Sequence, residues 1–318
     1  MLINKKYNDS HYLERYQEGQ HKEVWDELVQ LGPAVFEDQL YAEALSVART
    51  MMRRVRSNIE ILIAKLLQCG FVFGYDFRLL VQLERSLTSA QNRRLYMEMC
   101  NLAHEQPPVF LSAHQQEEEI AETQKLIEQD GSFPLFFEEG LDNETHLRQN
   151  KSYIDELEQI VGPVPLAVRA WFEEIAAVNF YGHHPQWNQF VPSPHQEHLS
   201  NQIRPDFLMS YCDPFQVCLL NEQKMMVLKE MYTKNKSCIF EIAPDHDFKD
   251  LYAGTSTPYC FALPYANADV IMPTYYSSTT FVDYLRLSLT WAGFPGMIKW
   301  QDIPRDELDF LTSGLLPF

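Results

Sequence analysis

The 318-residue sequence predicts an α+β protein, with a helical domain over residues 1–130 and a domain of packed helices and strands over residues 131–318. Two observations lead to this prediction. In the first part, long stretches carry apolar residues at three- and four-residue steps, which is the pattern of an amphipathic helix. In the second part, two predicted helices precede a set of short strands and one follows them. That order favours an antiparallel or mixed sheet over the strict alternation of a doubly wound fold.

Helices account for most of the predicted N-terminal domain. The longest is predicted over residues 42–68, which contain neither Pro nor Gly and repeat apolar side chains along one face. Gly70 comes just after it and is able to adopt the positive φ that ends many helices. Shorter helices are predicted over 23–31 and 75–103. An acidic helix over 115–129 closes the domain, and the Asp-Gly-Ser turn after it marks the predicted domain boundary.

The C-terminal domain begins with helices predicted over 151–161 and 166–178. Pro165 lies in the first turn of the second helix, where the missing N–H has no cost. A closing helix is predicted over 280–291, before a Gly-Phe-Pro-Gly stretch that ends it. Segments rich in β-branched and aromatic residues predict the strands between these helices. The predicted strands are 179–181, 215–220, 237–242, 258–263 and 269–272.

Composition and charge exclude several classes of function. The chain has 26 Lys and Arg residues against 44 Asp and Glu residues, so its net charge of -18 argues against nucleic-acid and anionic-membrane partners. No apolar run approaches the roughly 20 residues that a membrane span needs. The first residues lack the apolar region of a secretory signal. The six cysteines are widely spaced without a C-x-x-C pair, which is typical of reduced thiols. We therefore expect a soluble, cytoplasmic protein.

Two charged groups are candidates for binding a partner protein. Three arginines at i, i+4 and i+7 share one face of the longest predicted helix. This ridge either is solvated or pairs with carboxylates of the same chain, including the Glu run of the acidic helix, or it docks an acidic partner. The Glu run is in turn either a solvated helix face or a docking site for a basic partner. The candidate partner-binding residues are therefore Arg49, Arg53, Arg56, Glu117, Glu118 and Glu119.

A histidine-rich stretch supplies the only enzyme hypothesis. His183, His184, His195 and His198, with Glu197 nearby, offer imidazole ligands and a base for a zinc-dependent hydrolase. The spacing matches neither the H-E-x-x-H motif nor its inverted form, and interspersed prolines predict a loop. A metal-dependent hydrolase is kept as the alternative function, and no metal or other cofactor is assigned.

Other catalytic patterns are missing from the sequence. It contains no G-x-S-x-G elbow, no Walker A motif and no G-x-G-x-x-G loop. The acidic stretch 245–250 lacks the glycine that a calcium loop needs at its sixth position. Ser256 has no base in a recognisable pattern around it. We therefore predict no catalytic residue.

The stretch 164–182 resembles the opening of the SUKH superfamily, which includes the yeast Smi/Knr cell-wall regulator and many bacterial immunity proteins. Pro165, the helix through Trp171 and Phe172, and the turn into the first strand carry this resemblance, which extends over residues 130–318. The closing helix with Thr280-Phe-Val-Asp-Tyr-Leu-Arg286 is similar to the end of that family's domain.

The resemblance implies a sheet packed with helices and a non-catalytic protein-binding module, often one that neutralises a toxin. It implies no shared catalytic residues. Taken with the charge, it leads us to expect an immunity or regulatory protein that binds a protein partner, for example a basic toxin, and that is not an enzyme. The acidic surface would steer a basic partner and raise the association rate more than the final affinity.

Overall fold

A computed structural model of the chain describes residues 11–73, 144–180, 182–183, 214–218, 220–244, 258–273, 278–296 and 303–318. Its helices are α1 (Tyr12–Gln17), α2 (His21–Gln30), α3 (Asp38–Cys69), α4 (Glu144–Val161), α5 (Leu166–Glu174), α6 (Glu222–Asn235), α7 (Phe281–Thr290) and α8 (Arg305–Thr312), with a 3₁₀ turn at Gly32–Phe36. Its strands are β1 (Val72–Phe73), β2 (Val178–Asn179), β3 (Gly182–His183), β4 (Gln216–Val217), β5 (Cys238–Ala243), β6 (Tyr259–Leu263), β7 (Ile271–Pro273) and β8 (Ser278–Thr280). The chain is α+β, as the sequence predicts.

Helix α3 is the long helix that the apolar repeat predicts, and it begins four residues earlier than expected. Its apolar face is fully buried, as at Ala48, Val55 and Leu62. The helix ends at Gly70, whose φ of 90° is in the left-handed region. The N–H of Phe71 then bonds back to the carbonyl of Leu66, which satisfies one of the last free carbonyls of the helix.

Helix α5 is shorter than the predicted 166–178. Ala176 has a φ of 77°, a left-handed conformation that stops the helix, and Val178 already belongs to β2. The indole N–H of Trp171 donates to the carbonyl of Ala176 at 3.0 Å and fixes this turn. The Trp171 ring is fully buried and meets Phe215 and Phe281 edge-on, so α5 joins the strands to α7.

The described strands form four antiparallel pairs. They are β1 with β3, β2 with β4, β5 with β6, and β7 with β8. The prediction was an antiparallel or mixed sheet, and the described pairs are antiparallel. Every predicted strand except β5 is shorter than expected. Residues alternate along β5, where Phe240 is buried while Ile239 and Glu241 are exposed. The sequence did not predict β1, β3, β8, α1, α6 or α8.

One hydrophobic cluster contains buried residues from both predicted domains. It includes Val55 of α3, Trp171 of α5 and Phe240 of β5. Helices α3 and α5 pack directly against each other. The predicted boundary near residue 130 and the predicted helices over 75–103 and 115–129 lie outside the described residues.

Candidate functional site

The arginine ridge of α3 pairs with carboxylates at the end of α5. The guanidinium of Arg49 donates to both oxygens of Glu173, at 2.5 and 2.9 Å. That of Arg53 donates to both oxygens of Glu174, at 3.0 and 2.9 Å. Arg56 donates from Nη1 to the backbone oxygen of Glu174 at 3.1 Å. We call these three arginines the carboxylate-binding face of α3.

The sequence left open whether this ridge pairs internally or docks a partner, and the structure shows the internal pairing. The carboxylates involved belong to α5, whereas the predicted Glu117, Glu118 and Glu119 lie outside the described residues. Arg53 remains 62% exposed, while Arg49 is 31% exposed. Arg53 therefore keeps access to solvent, whereas Arg49 lies against the protein.

A charge network around the buried Arg169 extends this contact into α4. Arg169 lies between Asp155, Glu158 and Glu173, and its Nη2 is 3.1 Å from Glu173 Oε1. Burial opposes the charge of Arg169, but these carboxylates raise its pKa above the usual value. Burial also raises the pKa of Glu158, against the effect of Arg169. The network joins α3, α4 and α5 and explains their fixed arrangement.

A second polar face of α3 binds backbone groups of the C-terminal segment 313–318. Asn58 is buried, and its side-chain amide forms hydrogen bonds with both backbone groups of Leu316. Its Nδ2 donates to the Leu316 oxygen at 2.9 Å, and its Oδ1 accepts the Leu316 N–H at 2.6 Å. Arg54 donates to the oxygen of Pro317 at 3.1 Å.

Lys65 continues this face towards the end of α8. Its ammonium donates to the backbone oxygens of Phe310 at 2.7 Å and of Ser313, and to the Ser313 hydroxyl at 2.7 Å. A cation at this place is favourable because the C-terminal end of α8 carries a partial negative charge. Arg54, Asn58 and Lys65 are called the backbone-binding face of α3 from here on.

A buried carboxylate links the N-terminal helices to the strands. Asp269 accepts the Val270 N–H at 2.8 Å, the Val282 N–H at the start of α7 at 3.4 Å, and the indole N–H of Trp25 at 3.4 Å. Burial raises the pKa of Asp269 to about 6, although these donors lower it in part. The Trp25 contact connects α2 to residues 244 positions later in the chain.

The first helices carry an acidic surface. Residues 11–43 include eight Asp and Glu residues but only two Lys and Arg residues. Both cations are already paired, Arg15 with Glu27 and Lys22 with Asp26. Four further carboxylates are exposed and in no ion pair with any described residue. This acidic surface consists of Glu18, Glu23, Glu37 and Asp38.

The predicted histidine site is outside the described residues except for His183. The backbone of His183 pairs with Val72 in the β1–β3 ladder. His184, His195 and His198 are not among the described residues, and neither are 245–250 and Ser256. In the part of the chain that the structure describes, no three His, Cys, Asp or Glu residues are grouped so as to hold a metal ion. The metal-dependent hydrolase stays a prediction, which elemental analysis of the purified protein tests directly.

Sequence reasoning missed two buried polar residues that hold the structure together. Asn58 interrupts the apolar repeat of α3 beside Val55 and Ile59, and a polar residue in such a position signals a specific partner. Asp269 stands within an apolar segment in the same way. Sequence alone gives no signal for which group each of them binds.

Comparison of the chain with protein-family models, curated proteins and solved structures finds no match. The resemblance to the SUKH superfamily therefore remains a prediction from the residues quoted above. Among the described helices, none is long and apolar enough to cross a membrane.

Proposed function

We propose that this protein is a non-catalytic protein-binding module, of the immunity or regulatory kind, and that its partner is a basic protein. The observation that carries the proposal is the acidic surface, whose exposed carboxylates form no ion pair with a lysine or arginine of the described residues. Exposed charge of one sign attracts an oppositely charged partner and accelerates encounter.

The internal pairs of the carboxylate-binding face support the proposal of a basic partner. Arg49 and Arg53 are engaged with Glu173 and Glu174, so they do not neutralise the acidic surface. Residues 11–43 therefore keep a net charge of about −6 with His neutral, which is enough to steer a basic protein at low salt. The acidic run at Glu117 to Glu119 adds to the same attraction in this proposal.

The proposal also places the protein in a reducing compartment, the cytoplasm. Cys238 and Cys260 are free thiols, and burial raises the pKa of both. Unpaired, partly buried cysteines are typical of proteins that function where thiols stay reduced.

Charge reversal of the acidic surface tests the proposal. A basic protein captured by the wild type is purified, and its association rate is measured with the double variant Glu18→Lys/Glu23→Lys. We expect the rate to fall about tenfold at low salt and the difference to vanish at high salt. The matched control is Glu222→Lys/Glu241→Lys, which changes the net charge equally at exposed positions outside the acidic surface.

Two results would contradict the proposal. One is a partner whose association rate does not depend on salt or on either double variant. The other is an equal loss of rate in the test and control variants, since that would assign the effect to net charge rather than to the acidic surface.

A further inference from the structure

The backbone-binding face of α3 has the features of a peptide-binding site. Arg54, Asn58 and Lys65 are at i, i+4 and i+11, so they lie along one side of the helix. All three donate hydrogen bonds to backbone oxygens of residues 310–318. Contacts of this kind recognise a chain by its main-chain groups rather than by its polar side chains.

Asn58 is the centre of this site. It is 1% exposed, yet its amide bonds to both the N–H and the C=O of one residue, Leu316. While residues 313–318 are bound, the backbone of Leu316 satisfies both polar atoms of this buried amide, and a peptide backbone in the same place would do the same. The site is therefore built for a bound peptide backbone.

Two side chains of the segment add apolar contacts. Leu315 and Phe318 pack against the hydrophobic core while still partly exposed, whereas Leu316 between them is 40% exposed. Arg286 of α7 donates to the backbone oxygen of Phe318 at 3.4 Å. Main-chain hydrogen bonds combined with apolar contacts of a few side chains are a recurring mode of peptide recognition.

The segment is joined to the rest of the protein in a way that permits its release. Gly314 has a φ of 72°, and its position has open space around it. Ser313, Gly314, Leu316 and Pro317 are exposed. A short segment in which four of six residues are exposed opens at a lower free energy than the core.

We infer that the backbone-binding face of α3, with Arg286, is a peptide-binding site that holds residues 313–318 of its own chain and binds a linear partner peptide when that segment is displaced. The partner peptide carries apolar residues at the positions of Leu315 and Phe318 and needs no charge. The resident segment competes with it at a millimolar effective concentration, because both belong to one chain. This inference does not rest on the acidic surface, and its test uses no basic partner.

The test measures binding of a fluorescein-labelled synthetic peptide with the sequence of residues 313–318. In the double variant Leu315→Ser/Phe318→Ser, residues 313–318 lose their apolar contacts and bind more weakly to the rest of the protein, while the sequence of α3 is unchanged. We expect this variant to bind the peptide at least tenfold more tightly than the wild type. Addition of Asn58→Ala to it should reduce that affinity at least tenfold.

The matched control is Leu316→Ser, which changes an exposed side chain of the same segment and keeps its backbone contacts. It should bind the peptide as the wild type does. If the folded double variant binds no more tightly than the wild type, or if Asn58→Ala leaves its affinity unchanged, the inference is overturned.

A measurement on the wild type covers the case in which the double variant does not fold. Saturating unlabelled peptide should displace the resident segment, so hydrogen exchange at the Leu316 amide of the protein should accelerate at least tenfold. The inference is also overturned if the hydrogen-exchange rate of the Leu316 amide does not change at a peptide concentration at which binding of the labelled peptide is saturated.

Discussion

Helix α3 holds the C-terminal part of the chain by two polar faces that work differently. At 100° per residue, the carboxylate-binding and backbone-binding faces lie about 150° apart around the helix, on either side of the buried apolar face. The first bonds mainly to the carboxylates of Glu173 and Glu174. The second bonds to the main chain of residues 310–318.

The difference shows how one helix makes a permanent contact and an exchangeable one. Bidentate arginine–carboxylate pairs require a particular side chain at a particular place, and the buried Glu173 cannot be replaced by another ligand without leaving charges unpaired. Backbone recognition by Asn58 accepts any chain that presents an N–H and a C=O in the same geometry. Stability should therefore depend more on the first face, and ligand exchange on the second.

The largest effect is expected when the network behind the carboxylate-binding face is broken. Arg169→Met removes the cation of the partly buried Glu158 and one of the two cations that hold the buried Glu173, and loss of one partner of a buried pair costs about 3–5 kcal/mol of unfolding free energy. Urea denaturation measures it. The control Lys229→Met removes the exposed pair with Glu156 and should cost less than about 1 kcal/mol. Equal losses would show that burial of the network does not determine its contribution.

The pH dependence of stability separates a third contact from both faces of α3. The pKa of Asp269 is about 6 in the folded protein, against an ordinary value of 3.8, so the folded state holds this proton more tightly than the unfolded state. Its contribution of about 3 kcal/mol is present below pH 3.8 and is lost as the pH rises through 6.

The variant Asp269→Asn does not titrate at this position, so its stability should fall less than that of the wild type between pH 4 and 7. Urea denaturation across that pH range measures both proteins. Because all other titrating groups are common to them, the difference between the two curves isolates Asp269, while the arginines of α3 keep their charge. Parallel curves would mean that Asp269 ionises as readily in the folded protein as in the unfolded chain.

A smaller effect is expected at the backbone-binding face. Asn58→Ala removes two hydrogen bonds and leaves the backbone groups of Leu316 without them, which costs about 1–3 kcal/mol. Hydrogen exchange should accelerate most at Leu316 and little in the core of α3. The control Ser57→Ala, next along the same helix, should change stability by less than about 0.5 kcal/mol. Faster exchange throughout α3 would show that Asn58 supports the whole helix rather than the segment.

The elements predicted correctly are those with long, regular patterns. Helix α3 carries one uninterrupted apolar repeat, and Gly70 marks its end. Helix α6 was missed because exposed apolar residues, such as Met226 and Val227, obscure the helical spacing of its buried Met225 and Leu228. Its one signal is the N-cap, where Asn221 accepts the Lys224 N–H at 2.9 Å. The early end of α5 at the left-handed Ala176 had no sequence signal, since such a conformation is unusual for alanine.

The candidate sites were predictable only in part, for a physical reason. The spacing of Arg49, Arg53 and Arg56 shows that they share a helix face, because that depends on local geometry. Their partners are more than 100 residues away in sequence, and periodicity has no information about contacts at that separation. The same limit applies to Asn58, whose buried position was visible in the repeat but whose partner was not.

The smallest effect is expected at the exposed end of the carboxylate-binding face. Arg53 is 62% exposed, and its pair with Glu174 should contribute less than about 1 kcal/mol, so Arg53→Gln should change the urea midpoint little. Arg49→Gln should cost more, because its partner Glu173 is only 4% exposed and would lose a cation in a poorly solvated place. High salt should remove the effect of the first substitution and leave most of the second. If the two substitutions have the same cost and the same salt dependence, Arg49 and Arg53 contribute equally to stability. A difference means that its stabilising effect is concentrated where Arg49 and Arg169 share Glu173.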